Sequence, residues 1–263
     1  MKATVFLGGG RITSALVAGL RRANYRAPII VHDRNRAKLG QLAREHAIRP
    51  EPNLHRAVAS AGMLLIAVRP DSVRDLLAAI GAIDRPLLVV SLAAGIPLSM
   101  LRRHLGPNVR WVRAMPSPVC RNGRGLTAVT FPASAPPPVR RQVQRFFSKM
   151  GRVLEIPEAK FDAFTVTYSS SHGYHALAML ARAAQRVGLD RKSALAAAAH
   201  ALADGVLAWR EGGMSLESLL REAATPGGIA ATVMNAIDEA GYAKTMERAL
   251  RRGMARARAN AKK

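Results

Sequence analysis

Short apolar runs alternate with helix-like segments along the first part of the chain. After residues 3–7, such runs recur at 28–32, 63–68, 87–91, 109–114, 126–131 and 152–156. Between them, apolar residues recur at helical spacing, as in 36–45 and 71–80. Near-continuous apolar strands separated by helices are typical of a parallel sheet covered on both faces. The pattern predicts an α/β fold with a doubly wound sheet.

The second part of the chain has a different pattern. After residue 157 the strand-like runs cease. Alanine-rich segments of helical periodicity follow at 176–187, 191–210, 216–224, 228–239 and 242–259. Small residues on several faces indicate closely packed helices. We therefore predict one domain over 1–157 and a second, all-helical domain over 158–263.

Three consecutive glycines follow the first apolar run. Gly8 permits a tight turn, Gly10 lets a phosphate approach the backbone, and Arg11 and Ile12 open the next helix. A strand, a tight turn and a helix N-terminus present backbone N–H groups and a helix dipole to a dinucleotide pyrophosphate. Thr13 occupies the place of the third glycine in the usual pattern, and a purely structural turn is the alternative. The context favours a Rossmann-like, dinucleotide-binding first domain.

The residues after the second predicted strand bear on the choice of cofactor. An acid such as Asp33 at this place usually binds ribose hydroxyls and favours NAD. Arg34 and Arg36 can instead clamp a 2′-phosphate, which favours NADP. A solvated helix start in an arginine-rich chain is the alternative explanation for the two arginines. We predict NADPH as the cofactor and leave NADH open because of Asp33.

Composition narrows the range of functions. The 263 residues are 49% hydrophobic with a formal net charge of +23, and no apolar run reaches the ~20 residues that a membrane span needs. Because arginines are scattered along the chain, the charge predicts attraction of anionic cofactors and argues against nucleic acid as the main partner. The densest basic segment, residues 244–263, is predicted to be a solvated helix face that ends in a frayed tail.

Cysteine content and the first residues suggest the compartment. Cys120 is the only cysteine, which excludes an intrachain disulfide and predicts a packing role for this residue. The first strand begins almost at once after the initial methionine, without a signal-peptide pattern. We expect a cytoplasmic location.

Several motifs follow the glycine turn in order along the chain. They are Val68-Arg69-Pro70, Ser91 to Ala94-Gly95, Arg113-Ala114-Met115-Pro116-Ser117, Gly123 to Thr127, Asp162 to Thr165 and Thr225-Pro226-Gly227-Gly228. Together with Gly8 and Gly10 they resemble the pyrroline-5-carboxylate reductase family, whose members make proline by reducing a cyclic imine. The resemblance covers nearly the whole chain.

The resemblance implies roles for many of these residues. Those expected at the cofactor are Val68, Arg69, Pro70, Ala94, Gly95, Met115 and Ser117. Those expected at the substrate are Thr225, Gly227, Gly228 and Ala230. The helical domain of the family interleaves with that of a second copy, so a homodimer or a higher homo-oligomer is expected.

The sequence departs from the family at the expected reaction centre. In the segment that the family writes Ser-Gly-Ser-Gly-Pro-Ala-Tyr, Ser170 and Tyr174 keep their register, and the threonine expected beyond the Pro-Gly-Gly turn is Ala230. An alanine cannot hydrogen-bond an imine nitrogen. We predict His172, Tyr174 and Ser170 as catalytic residues, because an imidazole or hydroxyl can donate the missing hydrogen bond. His172 and His175 have no carboxylate cluster near them in sequence, so no metal is expected.

The predicted function is NAD(P)H-dependent hydride transfer to a cyclic imine, with 1-pyrroline-5-carboxylate giving L-proline as the leading reaction. A paralogue that reduces another imine or keto substrate is one alternative. A non-catalytic NADPH-binding regulatory protein is the other.

Overall fold

The predicted sheet is present in the computed structural model, which describes residues 2–261. Within that range the strands are β1 (Ala3–Leu7), β2 (Ile29–His32), β3 (Arg49–Pro50), β4 (Ala61–Ile66), β5 (Leu87–Ser91), β6 (Val109–Met115), β7 (Gly125–Thr130) and β8 (Gly151–Glu155). They form one sheet in the order β3-β2-β1-β4-β5-β6-β7-β8. The chain leaves β1 in one direction and returns to build outward from β4 in the other, which is the switch point of a doubly wound sheet. The predicted α/β, Rossmann-like class is confirmed.

The direction of the last two strands differs from the parallel arrangement that the sequence predicts. Neighbouring strands from β3 to β6 pair in parallel, whereas β7 runs antiparallel to β6, with Met115 opposite Ala128. β8 then pairs in parallel with β7. A short 3₁₀ turn, Pro118–Asn122, joins β6 to β7. A parallel pair needs a crossover of a dozen or more residues, so this short connection forces the reversal.

Helices cover both faces of the sheet. Those packed with it are α1 (Arg11–Arg22), α2 (Arg36–His46), α3 (Leu54–Ala59), α4 (Val73–Ile80), α5 (Leu98–Leu101), α6 (Pro137–Ser148) and α7 (Glu158–Thr167). Successive side chains of a strand point to opposite faces. Accordingly Phe6 lies in one buried cluster with Phe147, while Val5 and Leu7 lie in the other with Leu77. Two buried faces explain why the strands read as continuous apolar runs.

The remaining helices are α8 (Ser170–Arg186), α9 (Arg191–Gly212), α10 (Leu216–Ala223), α11 (Ile229–Glu239) and α12 (Tyr242–Asn260). α8 and α9 pack against each other, with the small side chains of Ala181, Ala194 and Ala198 buried. Many large apolar side chains of this part are exposed, including Ile229 (87%) and Val233 (53%) on α11. The predicted all-helical second half is confirmed.

The basic end of the chain is not the frayed tail that the sequence predicts. α12 remains helical to Asn260. Ala257 is buried, and a Cβ on Gly253 would lie 3.1 Å from the Val166 side chain of α7. The arginines of α12 are solvated on one face, but small residues on the other face bring the helix against the first part of the chain. Lys262 and Lys263 lie outside the described residues.

By contact density the described chain forms two compact units, one of residues 2–168 with 252–261 and the other of residues 169–251. This division differs from the predicted boundary at 157, because α7 and the end of α12 pack with the sheet. The domain boundary at 157 stays a prediction.

Candidate functional site

The glycine turn after β1 is closed by contacts that leave no room for a larger residue. Gly8 has φ +112°, and a Cβ there would lie 2.6 Å from the carbonyl oxygen of Ala67. The Gly8 N–H donates to His32 O at 2.8 Å. Thr13, the departure from the glycine pattern, is fully buried, and its hydroxyl donates to Gly8 O at 2.5 Å. Thr13 therefore fastens the turn from inside the helix.

The start of α1 is open to an anion. Gly10 is its N-cap and provides no side-chain cap, and a Cβ on Gly10 would meet nothing within 4 Å. The first N–H groups of a helix lack partners within the helix and carry its positive dipole end. A phosphate fits this arrangement.

Both carboxylate oxygens of Asp33 accept hydrogen bonds from backbone N–H groups, one of them in the glycine turn. Its Oδ2 accepts from Gly9 N at 2.7 Å and its Oδ1 accepts from Asn35 N at 2.8 Å. Asn35 in turn caps α2 by accepting from Lys38 N at 3.1 Å. The carboxylate thus links the glycine turn to the start of α2, which fixes where Arg34 and Lys38 leave the backbone.

A cavity of about 700 Å³ opens beside this turn, at the carboxyl ends of the strands. Its lining comprises Leu7, Gly8, Gly10, His32, Asp33, Arg34, Lys38, Pro52, Asn53, Leu54, Ala67, Val68, Arg69, Ser72, Asp75, Leu76 and Ala79. Arg34, Lys38 and Arg69 supply positive charge, and Leu54 and Leu76 supply apolar surface. Such a mixture suits an adenosine and its phosphates.

Five of the predicted cofactor residues, Gly8, Gly10, Arg34, Val68 and Arg69, line this cavity. Others lie around it or elsewhere. Arg11 is exposed and Ile12 is half-buried on the first turn of α1, Pro70 begins a 3₁₀ turn, and Arg36 is exposed on α2. Lys38, which the sequence argument passed over, is on the lining where Arg36 is not.

The loop after β5, which contains the predicted cofactor residues Ala94 and Gly95, is tightly held. Ala94 O accepts from the Asn260 side chain at 3.1 Å. Gly95 has φ +75°, and the carbonyl oxygen of Ala257 occupies the place of a Cβ. Glycine is therefore required at this position for two reasons, its backbone conformation and its neighbour.

Arg113 joins two of the family-like motifs. Arg113 is 2% exposed, and its guanidinium donates to Glu158 Oε1 at 3.1 Å and to Asp162 Oδ1 at 3.3 Å. It also lies over the Phe161 ring, 4.4 Å from the centroid. Glu158 Oε1 additionally accepts from Leu98 N at 2.7 Å. The arginine of one motif and the aspartate of another thus form one ion-pair cluster between β6 and α7.

Ser117, predicted at the cofactor, has structural partners. It is buried, and its hydroxyl oxygen accepts from Val119 N at 3.2 Å and from Tyr168 OH at 3.2 Å. Tyr168 OH also accepts from Leu126 N at 2.8 Å. Met115, at the end of β6, is half-buried.

The predicted catalytic residues lie on the first two turns of α8. Ser169 caps this helix, and its hydroxyl lies 2.6 Å from that of Ser171. Ser170 is half-buried, while His172 and Tyr174 (69%) are exposed. Among residues 2–261 no group of three or more His, Cys, Asp and Glu side chains could hold a metal ion.

The predicted substrate residues form a turn and a helix start. Gly228 N donates to Thr225 O at 2.9 Å, and Gly227 has φ +75°, as in a type II turn with Pro226 at its second position. Gly228 is the N-cap of α11 and provides no side-chain cap. Ala230 is exposed in the first turn of that helix.

Cys120 is fully buried in the core, where burial raises the pKa of its thiol. Its Sγ lies 3.8 Å from Thr127 Oγ1. Cys120 is therefore a packing residue and not a nucleophile.

In the part of the chain that the structure describes, no helix is long and apolar enough to cross a membrane.

Two family models match the chain in separate segments. Residues 4–95 match the model described as NADP oxidoreductase, coenzyme F420-dependent. Residues 158–260 match the model described as pyrroline-5-carboxylate reductase dimerisation. The first segment contains the glycine turn and the cavity, and the second contains the helices.

Relatives of the same description cover the chain. A pyrroline-5-carboxylate reductase of Synechocystis is 32% identical over 65% of this chain and 64% of that protein. One of Methanosarcina acetivorans is 28% identical over 98% of this chain and 97% of its own length. A crystal structure of the Plasmodium falciparum pyrroline carboxylate reductase with NADP bound has a TM-score of 0.86 at 19% identity, covering 98% of each chain. Over nearly its whole length the chain is thus similar to proteins of the pyrroline-5-carboxylate reductase family.

Proposed function

We propose that the protein is an NADPH-dependent reductase that converts 1-pyrroline-5-carboxylate to L-proline. One observation carries the proposal. Gly8 and Gly10 line a cavity to which Arg34, Lys38 and Arg69 also contribute, in a chain that aligns over 98% of its length with a reductase of this name. Use of NADH remains compatible with the same cavity.

The residues around the glycine turn and the cavity suit the adenosine half of NADPH. The N–H groups at the start of α1 would hold the pyrophosphate, and Leu54 and Leu76, which line the cavity, would provide apolar surface for the adenine. Arg34 and Lys38 bind the 2′-phosphate, because both line the cavity. Since both oxygens of Asp33 already accept backbone N–H groups, this acid serves the turn and leaves the phosphate site positively charged.

The substrate half relies on backbone donors. We propose that the substrate carboxylate binds the uncapped N–H groups that begin α11 after Gly228, where the helix dipole favours an anion. Thr225 and Gly227 shape the turn before it, and Ala230 adds no hydroxyl. Hydrogen bonds to the imine ring come from α8.

The chemistry needs little from the protein beyond placement. When bound, the cofactor supplies the hydride for the imine carbon, and the imine nitrogen takes one proton. A protonated iminium accepts hydride readily, so orientation contributes more than acid catalysis. We propose that Ser170, His172 and Tyr174 orient the ring and that one of them donates a hydrogen bond to the imine nitrogen while this nitrogen is unprotonated.

We propose a homodimer formed through the helices of the second unit. α10 and α11 have no buried residue in the chain by itself, and their apolar side chains Leu216, Leu220, Ile229 and Ile237 are exposed. Exposed large apolar side chains in this number favour an interface, and the dimerisation model matches this region. A cytoplasmic location and the absence of a nucleic-acid partner stay predictions.

The decisive experiment follows NADPH oxidation with pyrroline-5-carboxylate and a panel of other cyclic imines and keto acids. We expect turnover with pyrroline-5-carboxylate, and a lower kcat in His172→Asn than in the control His175→Asn. Turnover with other imines but not with pyrroline-5-carboxylate would show that the proposed substrate is wrong and that the protein reduces a different imine. Tight NADPH binding without any turnover would favour a regulatory protein instead.

Ala230 gives a second test of the substrate. Ala230→Thr is expected to raise kcat/KM for pyrroline-5-carboxylate, because the added hydroxyl can reach an imine nitrogen from the first turn of α11. Ala236→Thr, at an exposed alanine further along the same helix, is the matched control. An unchanged or lower kcat/KM would count against placing the imine beside residue 230.

The 2′-phosphate site is tested by charge removal. Arg34→Ala and Lys38→Ala are each expected to weaken NADPH binding about tenfold and NADH binding much less, since a charged hydrogen bond contributes ~1.5–3 kcal/mol. Arg36→Ala is the matched control. It distinguishes a phosphate site made of Arg34 and Lys38 from the clamp of Arg34 and Arg36 that the sequence predicts. Equal losses for NADPH and NADH would exclude this phosphate site.

A further inference from the structure

The last turns of α12 contact the loop after β5 from two directions. Asn260 Nδ2 donates to Ala94 O at 3.1 Å, and the carbonyl oxygen of Ala257 lies against Gly95. The helix end is itself tied down, because Arg74 of α4 donates to Ala261 O at 3.3 Å. The loop and the end of α12 are therefore held together by specific contacts.

The orientation of the Asn260 amide is determined by a second residue. Arg256, one turn earlier on α12, donates to Asn260 Oδ1 at 2.6 Å. If the amide were reversed, its NH₂ group would face the guanidinium, and its oxygen would face the carbonyl of Ala94. Both contacts would then lack a donor–acceptor pair. Arg256 thus directs the NH₂ group of Asn260 at Ala94.

The same loop is also fixed at its far end. Leu98 N donates to Glu158 Oε1, whose carboxylate is paired with buried Arg113. Between these anchors the chain passes through Gly95 in a left-handed conformation, φ +75°. Asn260 holds the beginning of the loop and Glu158 holds its end, so the backbone between them has little freedom.

We propose that Asn260 is a positioning residue for the nicotinamide half of the cofactor and acts through the Ala94 carbonyl. The inference rests on the proposed function and on the expected place of Ala94 and Gly95 at the cofactor. Since neither residue lines the adenosine cavity, we place them beside the nicotinamide. Asn260 does not touch the cofactor in this role. It keeps the β5 loop in the conformation that binds the ring, so that less ordering is needed on binding. The end of the basic helix thereby belongs to the cofactor-binding apparatus.

The test separates the two halves of the cofactor. Asn260→Asp keeps the size of the side chain and its bond to Arg256, but places a carboxylate oxygen against the Ala94 carbonyl. We expect its Kd for NADP⁺ to rise at least about fivefold, the factor that one lost hydrogen bond produces. The Kd for 2′,5′-ADP, which lacks the nicotinamide, should stay within about twofold because the adenosine cavity is unchanged. Arg258→Ala, an exposed residue of the same helix, is the matched control.

A kinetic split and a stability measurement complete the test. In Asn260→Asp we expect a lower kcat as well as weaker NADP⁺ binding, and a ligand-free Tm lowered by only ~2–4 °C, the effect of one lost hydrogen bond. Equal weakening of NADP⁺ and 2′,5′-ADP, or unchanged binding of both, would overturn the positioning role. A wild-type protein that binds neither probe would overturn the proposed cofactor function as well, and this outcome is distinct from the other two.

Discussion

Arg113 offers an energetic test of how β6 is joined to α7. Replacing it by methionine removes the guanidinium and keeps an unbranched stem of similar length. The change breaks the bonds to Glu158 and Asp162 and the contact with the Phe161 ring. It also removes the buried Arg113 Nε, which lacks a hydrogen-bond partner among the described residues. Losses and gains therefore oppose each other.

The magnitude follows from burial. A hydrogen bond to a charged group contributes ~1.5–3 kcal/mol when both partners are buried. The carboxylate side chains here are 36% and 24% exposed, so water rehydrates them, and about 1 kcal/mol for each bond is the fitting value. The ring contact adds ~1 kcal/mol, and relief of the unpartnered Nε returns about the same amount. We expect Arg113→Met to lose about 2 kcal/mol of unfolding free energy.

The assay is urea denaturation followed by circular dichroism at one fixed protein concentration, because association shifts apparent stability. A loss of about 2 kcal/mol corresponds to a Tm lower by ~4–8 °C for a unit of this size. Arg110→Met, at an exposed position of the same strand, should change stability by less than ~0.5 kcal/mol. Double-mutant cycles with Glu158→Gln and Asp162→Asn measure each pair. Equal or greater stability of Arg113→Met would refute the reasoning and show that desolvation of the guanidinium outweighs its bonds.

Three further predictions follow from single residues. Gly8→Ala should raise the Kd for NADPH at least about tenfold, measured by nicotinamide fluorescence, because its Cβ would lie 2.6 Å from Ala67 O; Gly40→Ala, in an open helical position, should not. Ile237→Glu should shift the protein towards monomer in light scattering, and an unchanged mass would argue against α11 as the interface. Cys120, with its thiol pKa raised by burial, should resist iodoacetamide from neutral to mildly alkaline pH until urea unfolds the protein, and fast labelling of the native state would contradict its buried placement.

The sheet was predictable because it is buried on both faces. Strands of that kind must be apolar throughout, and the predicted runs agree with β2 and β4 to β8 within about two residues. The sequence did not predict β3, because this strand is only two exposed residues long, Arg49–Pro50. The sequence did not predict α3 either, because the helix is short. Its N-cap, Asn53, is nevertheless a recognisable signal: the Asn53 side chain accepts from Arg56 N at 2.9 Å.

The candidate site was predictable only in part, for reasons of chain topology. The glycine turn and the residues after β2 adjoin in sequence, so local motifs identify them. Lys38 lines the cavity because the cap at Asn35 sets the phase of α2, and residue spacing alone does not give that phase. The contact of Asn260 with Ala94 joins residues 166 positions apart. Its only local signal is the spacing of Gly253 and Ala257, two small residues one turn apart on a basic helix.

In the proposed site, the hydroxyl missing at Ala230 matters more for the protonation state of the imine nitrogen than for binding of the substrate carboxylate. The only threonine nearby on α11, Thr232, donates to Gly228 O at 3.1 Å, so its hydroxyl is engaged with the helix start. Backbone N–H groups bind a carboxylate whatever the side chains are, and an alanine leaves them in place. In the proposed site, what alanine removes is a hydrogen bond to the imine nitrogen, which matters most when the nitrogen is unprotonated. An enzyme of this design should therefore depend more on the iminium form of its substrate, and the hydroxyl restored by Ala230→Thr should help most at the alkaline end of the pH profile.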